Sequence, residues 1–454
     1  MGIGLRAGAL AALAAAGGRA PARADALARG GLSRAWPFVV ERATDEIWVA
    51  AQLAGEVDWA ERDRACALLA AEVDGLGLVH VAVVDRLSEP RRHRLMLGRL
   101  AAGQHELRLR YLDERTPPGA GRVEVGEVLI GAAPAGSPLH RRLSHAPVLR
   151  APASVLASDL PVLLYAAEGA DKIGDWLEYT VIYTNEDSRD EPIGLANLLS
   201  RWGRTVDIEY IYRVWLDAEG RVLATSYQAE GHEDMPFAGV YGLGCHPELW
   251  VATANGMVGD AAPGADTLRL ALMPADDVMP GAPDRPREWY MLAEPWIYEL
   301  MVKEMRREEF ADGSPKVEAP SLLETPAPGD PTDFVYVAVE LGEFRDGHPA
   351  VGLRLADGSE LWNDRGQMDA DTLDRSGWQQ VAVELPPGLG PGELAELVVA
   401  SRQGTFRLLS VGPAVVLDRA TLRPRVVADR QRADARLETG MSWTRALAAN
   451  EGQR

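Results

Sequence analysis

Apolar and polar positions alternate most cleanly between Thr205 and Leu216. Val206, Ile208, Tyr210, Tyr212, Val214 and Leu216 fall on one side of this segment. Asp207, Glu209, Arg213, Trp215 and Asp217 fall on the other, which is the pattern of a half-buried strand. Asp217-Ala218-Glu219-Gly220 then predicts a hairpin turn, with Val222 to Tyr227 returning antiparallel. Trp176 to Thr184 predicts a strand with Leu177, Tyr179, Val181 and Tyr183 on one face, and residues 79–84 and 105–110 predict two more. Helical spacing is rarer. Asp58 and Glu61 resemble a capping box, and Trp59, Cys66, Leu69 and Val73 then recur as an apolar stripe, predicting a helix from Asp58. Pro192 to Trp202, closed by Gly203, predicts a second helix, and Trp296 to about Phe310 a third.

The punctuation between these segments divides the chain into modules. Residues 1–30 are an alanine-rich leader, 36–130 an N-terminal α+β or β-sandwich domain, and 155–310 a central β-sandwich domain. Residues 132–154 lack a sustained period and carry several Pro and Gly, so they predict a linker, as do 311–333 with five prolines. Residues 334–418 hold short β-rich segments separated by turns, predicting a jelly-roll-like domain, and 419–454 a polar tail without core pattern. The expected fold class is therefore mainly β: several antiparallel sandwiches or jelly rolls with a few packed helices.

Composition narrows the function. Across 454 residues, 67 acidic side chains against 47 basic ones give a net charge of −20, which argues against sequence-independent binding to nucleic acid. The absence of a long apolar run argues against a helical membrane span. Two cysteines exclude a disulfide-dense scaffold. Cys66 reads as a buried free thiol on the helix stripe, and Cys245 lies in the loop Gly242-Leu243-Gly244-Cys245-His246. The leader combines Arg6, an alanine run and Ala22-Arg23-Ala24, features of an export signal, so a periplasmic or extracellular location is slightly favoured over a cytoplasmic one. No Walker-type phosphate loop, Gly-x-Ser-x-Gly elbow or His-Glu-x-x-His is present, which disfavours kinases, α/β esterases and zincin proteases.

Candidate chemistry concentrates on the 205–216 strand. Side chains two apart on one strand face lie roughly 7 Å apart, so Asp207 and Glu209 can repel, share a proton or share a divalent cation. His232, in Gly231-His232-Glu233-Asp234, is the candidate base or third ligand. Arg213, Trp215 and His246 are candidate ligand-binding residues, Trp215 because a ring on the polar face needs an explanation. The acidic segment Asn185 to Glu191 reads as a solvated turn before a Ca²⁺ loop. Gly203-Arg204-Thr205-Val206-Asp207-Ile208-Glu209 resembles the Gly-His-x-His-Asp-Trp-Glu heptapeptide of the necrosis- and ethylene-inducing secreted proteins. That resemblance implies a jelly-roll-like sandwich on which Asp207 and Glu209 hold a divalent cation, with His232 standing where such families carry another histidine. Arg204, Val206 and Ile208 depart from the pattern. The C-terminal block resembles a carbohydrate-binding module through Gly377-Trp378-Gln379-Gln380-Val381 and the strand running to Leu385-Pro386. Three functions stay open: binding of a glycan or other small polar ligand; a hydrolase or lyase built on Asp207, Glu209 and His232, with or without a divalent cation; and a non-catalytic envelope or assembly component.

Overall fold

The computed structural model describes residues 25–186, 195–253, 255–261, 267–275, 279–280, 287–310, 330–364, 373, 375–386 and 388–447. The chain is mainly β, and among the described residues it forms five sheets. Two four-stranded antiparallel sheets make the N-terminal part. One runs in the order Asp25–Leu27, Val123–Ala133, Glu46–Gly55, Arg91–Gly98, the other Ser33–Val40, Gly103–Tyr111, Ala67–Val73, Leu76–Val83. The strands expected near 79–84 and 105–110 are the last and second of that second sheet.

The helix expected from Asp58 is not formed. Asp58 accepts from the Ala60 amide, but Glu61 pairs with Arg64 instead of reaching back; a short 3-10 turn, Arg62–Arg64, follows, and then the strand Ala67–Val73. Residues 65–71 are buried without interruption, and a strand covered on both faces loses the alternation that distinguishes it from a buried helix.

The central part is a six-stranded sheet in the order Glu233–Pro236, Val222–Ala229, Ile208–Leu216, Asp175–Tyr183, Pro161–Ala170, Met279–Pro280, antiparallel except at the last pair. The hairpin at Asp217–Gly220 forms as expected, with Asp217 accepting from the Glu219 and Arg221 amides. Residues 132–154 are not a linker. They complete one strand, form the helix Pro138–His145 capped by Ser137, and supply Val148–Pro152 to a five-stranded sheet that also contains His246–Val251. Side chains on both sides of this segment share one apolar core extending from Leu27 through the central sheet to Tyr336 and Leu417.

The helices Leu195–Trp202 and Trp296–Phe310 lie where their patterns place them, with Gly203 at φ +60° ending the first. The first helix docks on the C-terminal sheet: Asn363 donates from Nδ2 to the Ser200 carbonyl at 2.9 Å, and Gln380 reaches the Gly203 carbonyl at 3.5 Å. The proline-rich segment expected at 311–333 lies outside the described residues up to 329.

In the C-terminal sheet the expected segment running to Leu385 stands as the separate strand Gly377–Glu384, while the other expected short strands merge into two long ones, Phe334–Leu355 and Leu394–Leu417, paired along their length through several bulges. The supposed tail is part of this sheet. Pro424–Ala428, Gln431–Glu438 and Ser442–Ala446 all pair with Leu394–Leu417. They are short and bury only one face, so few apolar residues mark them in the sequence. No helix among the described residues is long and apolar enough to cross a membrane.

Candidate functional site

The strand Ile208–Leu216 does not keep one alternation throughout. Against Asp175–Tyr183 it pairs Glu178 with Arg213 and Tyr179 with Tyr212, and then Thr180 with Tyr210 and Val181 with Glu209. Ile211 is therefore an extra residue, a β-bulge. Directly opposed residues share a face, and Glu178 and Val181 are three apart on an unbroken strand. Glu209 consequently lies on the opposite face from Arg213. The bulge separates the two carboxylates from Arg213 and Trp215, which strict alternation had placed beside them.

On the first face, Asp207 is 1% exposed and follows Arg204, whose guanidinium is also buried. Arg204 bonds Glu186 from Nη1 at 2.8 Å and Glu288 from Nε at 3.2 Å, and lies 3.7 Å from Asp207. It also donates to the Val206 carbonyl. Among the described residues no group donates a hydrogen bond to either Asp207 oxygen. Burial, and then the charges of Glu186 and Glu209, hold the Asp207 carboxyl well above the ordinary carboxylate range, and Arg204 only partly opposes them. Glu209 is raised by burial and by Glu186. The Gln228 amide nitrogen sits 3.3 Å from Glu209 Oε2 and 2.6 Å from Nδ1 of the exposed His232. Gln228 thus joins Glu209 to His232, while the cation beside Asp207 is a resident one, Arg204. The sequence marked Arg204 only as a departure from a histidine pattern; its partners Glu186 and Glu288 lie 18 and 84 residues away, so local sequence carried no signal of the pairing.

The sign of the Asp207 shift gives a test. Its native pKa lies above the unfolded value, so between the two the native chain holds a proton that the unfolded chain releases, and stability falls as pH rises through that window. Asp207→Asn removes this cost. The variant should gain on the order of 1 kcal/mol or more above neutrality and match the parent near pH 4. Denaturant midpoints measured across pH would refute this if the two curves ran parallel.

On the second face, Trp215 is 8% exposed and donates its indole N–H to Asp171 at 2.9 Å. The ring on the polar face is therefore largely packed, covered by neighbours at that end of the strand. Arg213 pairs with Glu178 at 3.0 Å, not with Glu209, and its guanidinium lies 5.1 Å from the Tyr210 ring centre, 5.4 Å from Trp215 and 5.6 Å from Trp176. Trp176 is half-buried. Its ring lies over Gly169, the residue directly opposite, where a Cβ would come within 2.1 Å of the indole. The Tyr210 hydroxyl shares a 2.7 Å hydrogen bond with Ser226.

His246 joins neither group. It is buried against Glu46, with Cys245 beside it. Burial pushes both thiols up to about 12, Cys245 also through Glu46, so neither is poised as a nucleophile. Both are free, with Cys66 against the Leu156 carbonyl. Of the acidic segment Asn185 to Glu191, residues 187–191 lie outside the described residues. Elsewhere a cavity of about 160 Å³ is lined by His80, Arg91, His93, Arg94, Leu272 and Trp296 among others. It is smaller than the roughly 300–1,000 Å³ of ordinary small-molecule sites, and none of the residues above lines it.

These sheets define a mainly β protein with a weak structural likeness to sugar-binding and NLP-like domains. The C-terminal domain of EclA, a sugar-binding protein, shares 12% identity at a TM-score of 0.19, over 25% of this chain and 81% of that one. NLPPya, solved with mannosamine, shares 13% at 0.22, over 36% and 92%. A family two carbohydrate esterase from Clostridium thermocellum, solved with cellohexaose, shares 19% at 0.17, over 33% of this chain and 38% of its own. No protein-family model and no curated protein sequence matches the chain.

Proposed function

We propose that this is an exported, non-catalytic protein that binds a glycan or a similar polar ligand on the Arg213 face of its central sheet. The observation that carries the reading is the Arg213 guanidinium, 28% exposed at its side chain and set among Tyr210, Trp215 and Trp176. Trp176, Trp215 and Ala224 are directly opposed across three strands, which makes a flat apolar strip. Ile173, Val222 and Leu223, all exposed, rim its hairpin end. Pyranose rings stack their C–H faces on flat indoles while charged side chains fix their hydroxyls, and the half-buried Trp176 beside Arg213 offers both. The alanine-rich leader supports export. A hydrolase centred on Asp207 would need its substrate to touch a carboxyl that is 1% exposed, so binding is the better-supported reading.

Glycan-array screening of the full chain, followed by calorimetry on the best ligand, tests it. Trp176→Ala should weaken binding about tenfold, the loss of one stacking contact, with the melting temperature held within a few degrees. Unchanged affinity in that variant would place the ligand elsewhere, and an array without any binding would remove the proposal.

A further inference from the structure

His246 opens the strand His246–Val251, and its ring is wholly buried. Its Nδ1 lies 2.9 Å from the Ala146 carbonyl oxygen, which can only accept, so Nδ1 carries a proton. A neutral imidazole then presents Nε2 as a lone pair, and that lone pair faces Oε2 of Glu46 at 3.1 Å. Two acceptors at this separation need a proton or a cation between them. The adjacent Cys245 brings its Sγ to 3.4 Å from the other Glu46 oxygen, and one ligand atom from each of the three residues lies within 4.8 Å of the others.

The loop that presents Cys245 is held in place. Leu243 adopts φ +48° and Gly244 φ +98°, and the Leu243 carbonyl accepts from the Arg99 amide at 3.2 Å. It rests on Gly98, where a Cβ would stand 2.2 Å from that oxygen. Arg99 also anchors Oε1 of Glu46 through Nε at 2.7 Å, leaving Oε2 directed at the imidazole.

We propose that Glu46, Cys245 and His246 form a binding site for a transition-metal dication of the Zn²⁺ class. With bonds of about 2.0 Å to nitrogen or oxygen and 2.3 Å to sulfur, tetrahedral ligand atoms stand roughly 3.3–3.5 Å apart, so the three ligand atoms, all within 4.8 Å of one another, need only close in slightly around an ion. A backbone carbonyl accepting the far ring N–H is the arrangement that orients metal-binding imidazoles. A mixed sulfur, nitrogen and oxygen set selects Zn²⁺ or Co²⁺ over Ca²⁺ or Mg²⁺. Binding exchanges one proton for the ion: the Cys245 S–H bond breaks, the sulfur keeps the electron pair and bonds the metal, and the proton leaves to solvent. Thiolate and Glu46 carboxylate supply two negative charges against the dication, with the Arg99 guanidinium an additional positive neighbour of Glu46. Cys245 is half-buried, unlike the fully buried His246. The site shares no residue with the Arg213 face and stands or falls independently of glycan binding.

The test uses the full chain, stripped with chelator and titrated with Co²⁺ near neutral pH. One equivalent should produce a thiolate-to-cobalt charge-transfer band, displaced by Zn²⁺, and Zn²⁺ should raise the melting temperature. Cys245→Ser should abolish the band and weaken binding more than about tenfold, while Cys66→Ser keeps it. His246→Gln should also lose it. If that variant fails to fold, Cys245→Ser decides alone, with circular dichroism confirming its fold. Absence of the band in the parent chain, its survival in Cys245→Ser, or a melting temperature indifferent to Zn²⁺ would reduce the cluster to a buried His–Glu ion pair and overturn the proposal.

Discussion

Arg204→Ala should lower the stability of the folded chain by about 3–5 kcal/mol, the cost of leaving buried charges without their partner. Arg204 is 5% exposed and is the cation shared by Glu186, Glu288 and Asp207. Burial alone would lower its pKa, but these carboxylates outweigh that and hold the guanidinium above its ordinary value. Removing it leaves two paired carboxylates and one already raised carboxyl in a poorly solvated space. The deficit should shrink as pH falls, because protonating the stranded acids removes the repulsion. Arg204→Lys should recover part of the loss, since an ammonium supplies charge but not the fork that reaches Glu186 and Glu288 together. Glu288→Gln on the Arg204→Ala background should restore stability although it is neutral or harmful alone, a coupling that a double-mutant cycle reads directly. Chemical denaturation at neutral pH checks all four chains. A loss below about 1 kcal/mol for Arg204→Ala, or no coupling to Glu288, would show that the carboxylates are solvated and need no cation.

Arg204 also shows what the sequence could and could not disclose. Strand positions on the central sheet were legible because Tyr, Val and Ile recur between turns, and the hairpin at Asp217–Gly220 announced itself through its turn residues. The bulge at Ile211 was not legible, since a bulge is a property of the pairing and Ile211 looks like any strand residue. That single residue reorganised the site: it moved Asp207 and Glu209 away from Arg213 and Trp215, and gave Arg213 to Glu178. Partners distant in sequence were equally hidden. Glu46 meets His246 and Glu288 meets Arg204 only because sheets and helices carry them together. The helix expected at Asp58 failed for a different reason, because continuous burial erases the period that separates helix from strand.

Trp59 tests that last element at full scale. Its side chain is wholly buried, and its indole N–H donates to Glu304, which is 1% exposed. The Arg307 guanidinium lies 4.3 Å from the ring centre and donates to the Trp59 carbonyl at 3.3 Å and to the Ala157 carbonyl. One tryptophan ahead of the strand Ala67–Val73 thus fastens the helix Trp296–Phe310 to the N-terminal sheets, across more than two hundred residues of chain. Trp59→Ala should cost about 3–5 kcal/mol, combining lost apolar burial with the cavity left behind. Trp59→Phe keeps much of the ring but removes the donor, and should cost about 1–3 kcal/mol for the lost hydrogen bond to the buried Glu304 carboxylate. Hydrogen exchange should locate the damage: amides of Trp296–Phe310 lose protection in Trp59→Phe, while those of Leu397, Val399, Phe406 and Leu408, in a separate apolar cluster, keep theirs. Equal costs for the two substitutions would assign the whole effect to ring packing. Undiminished protection of the helix would mean that its hold on the N-terminal sheets runs through Arg307 and the backbone, not through the indole.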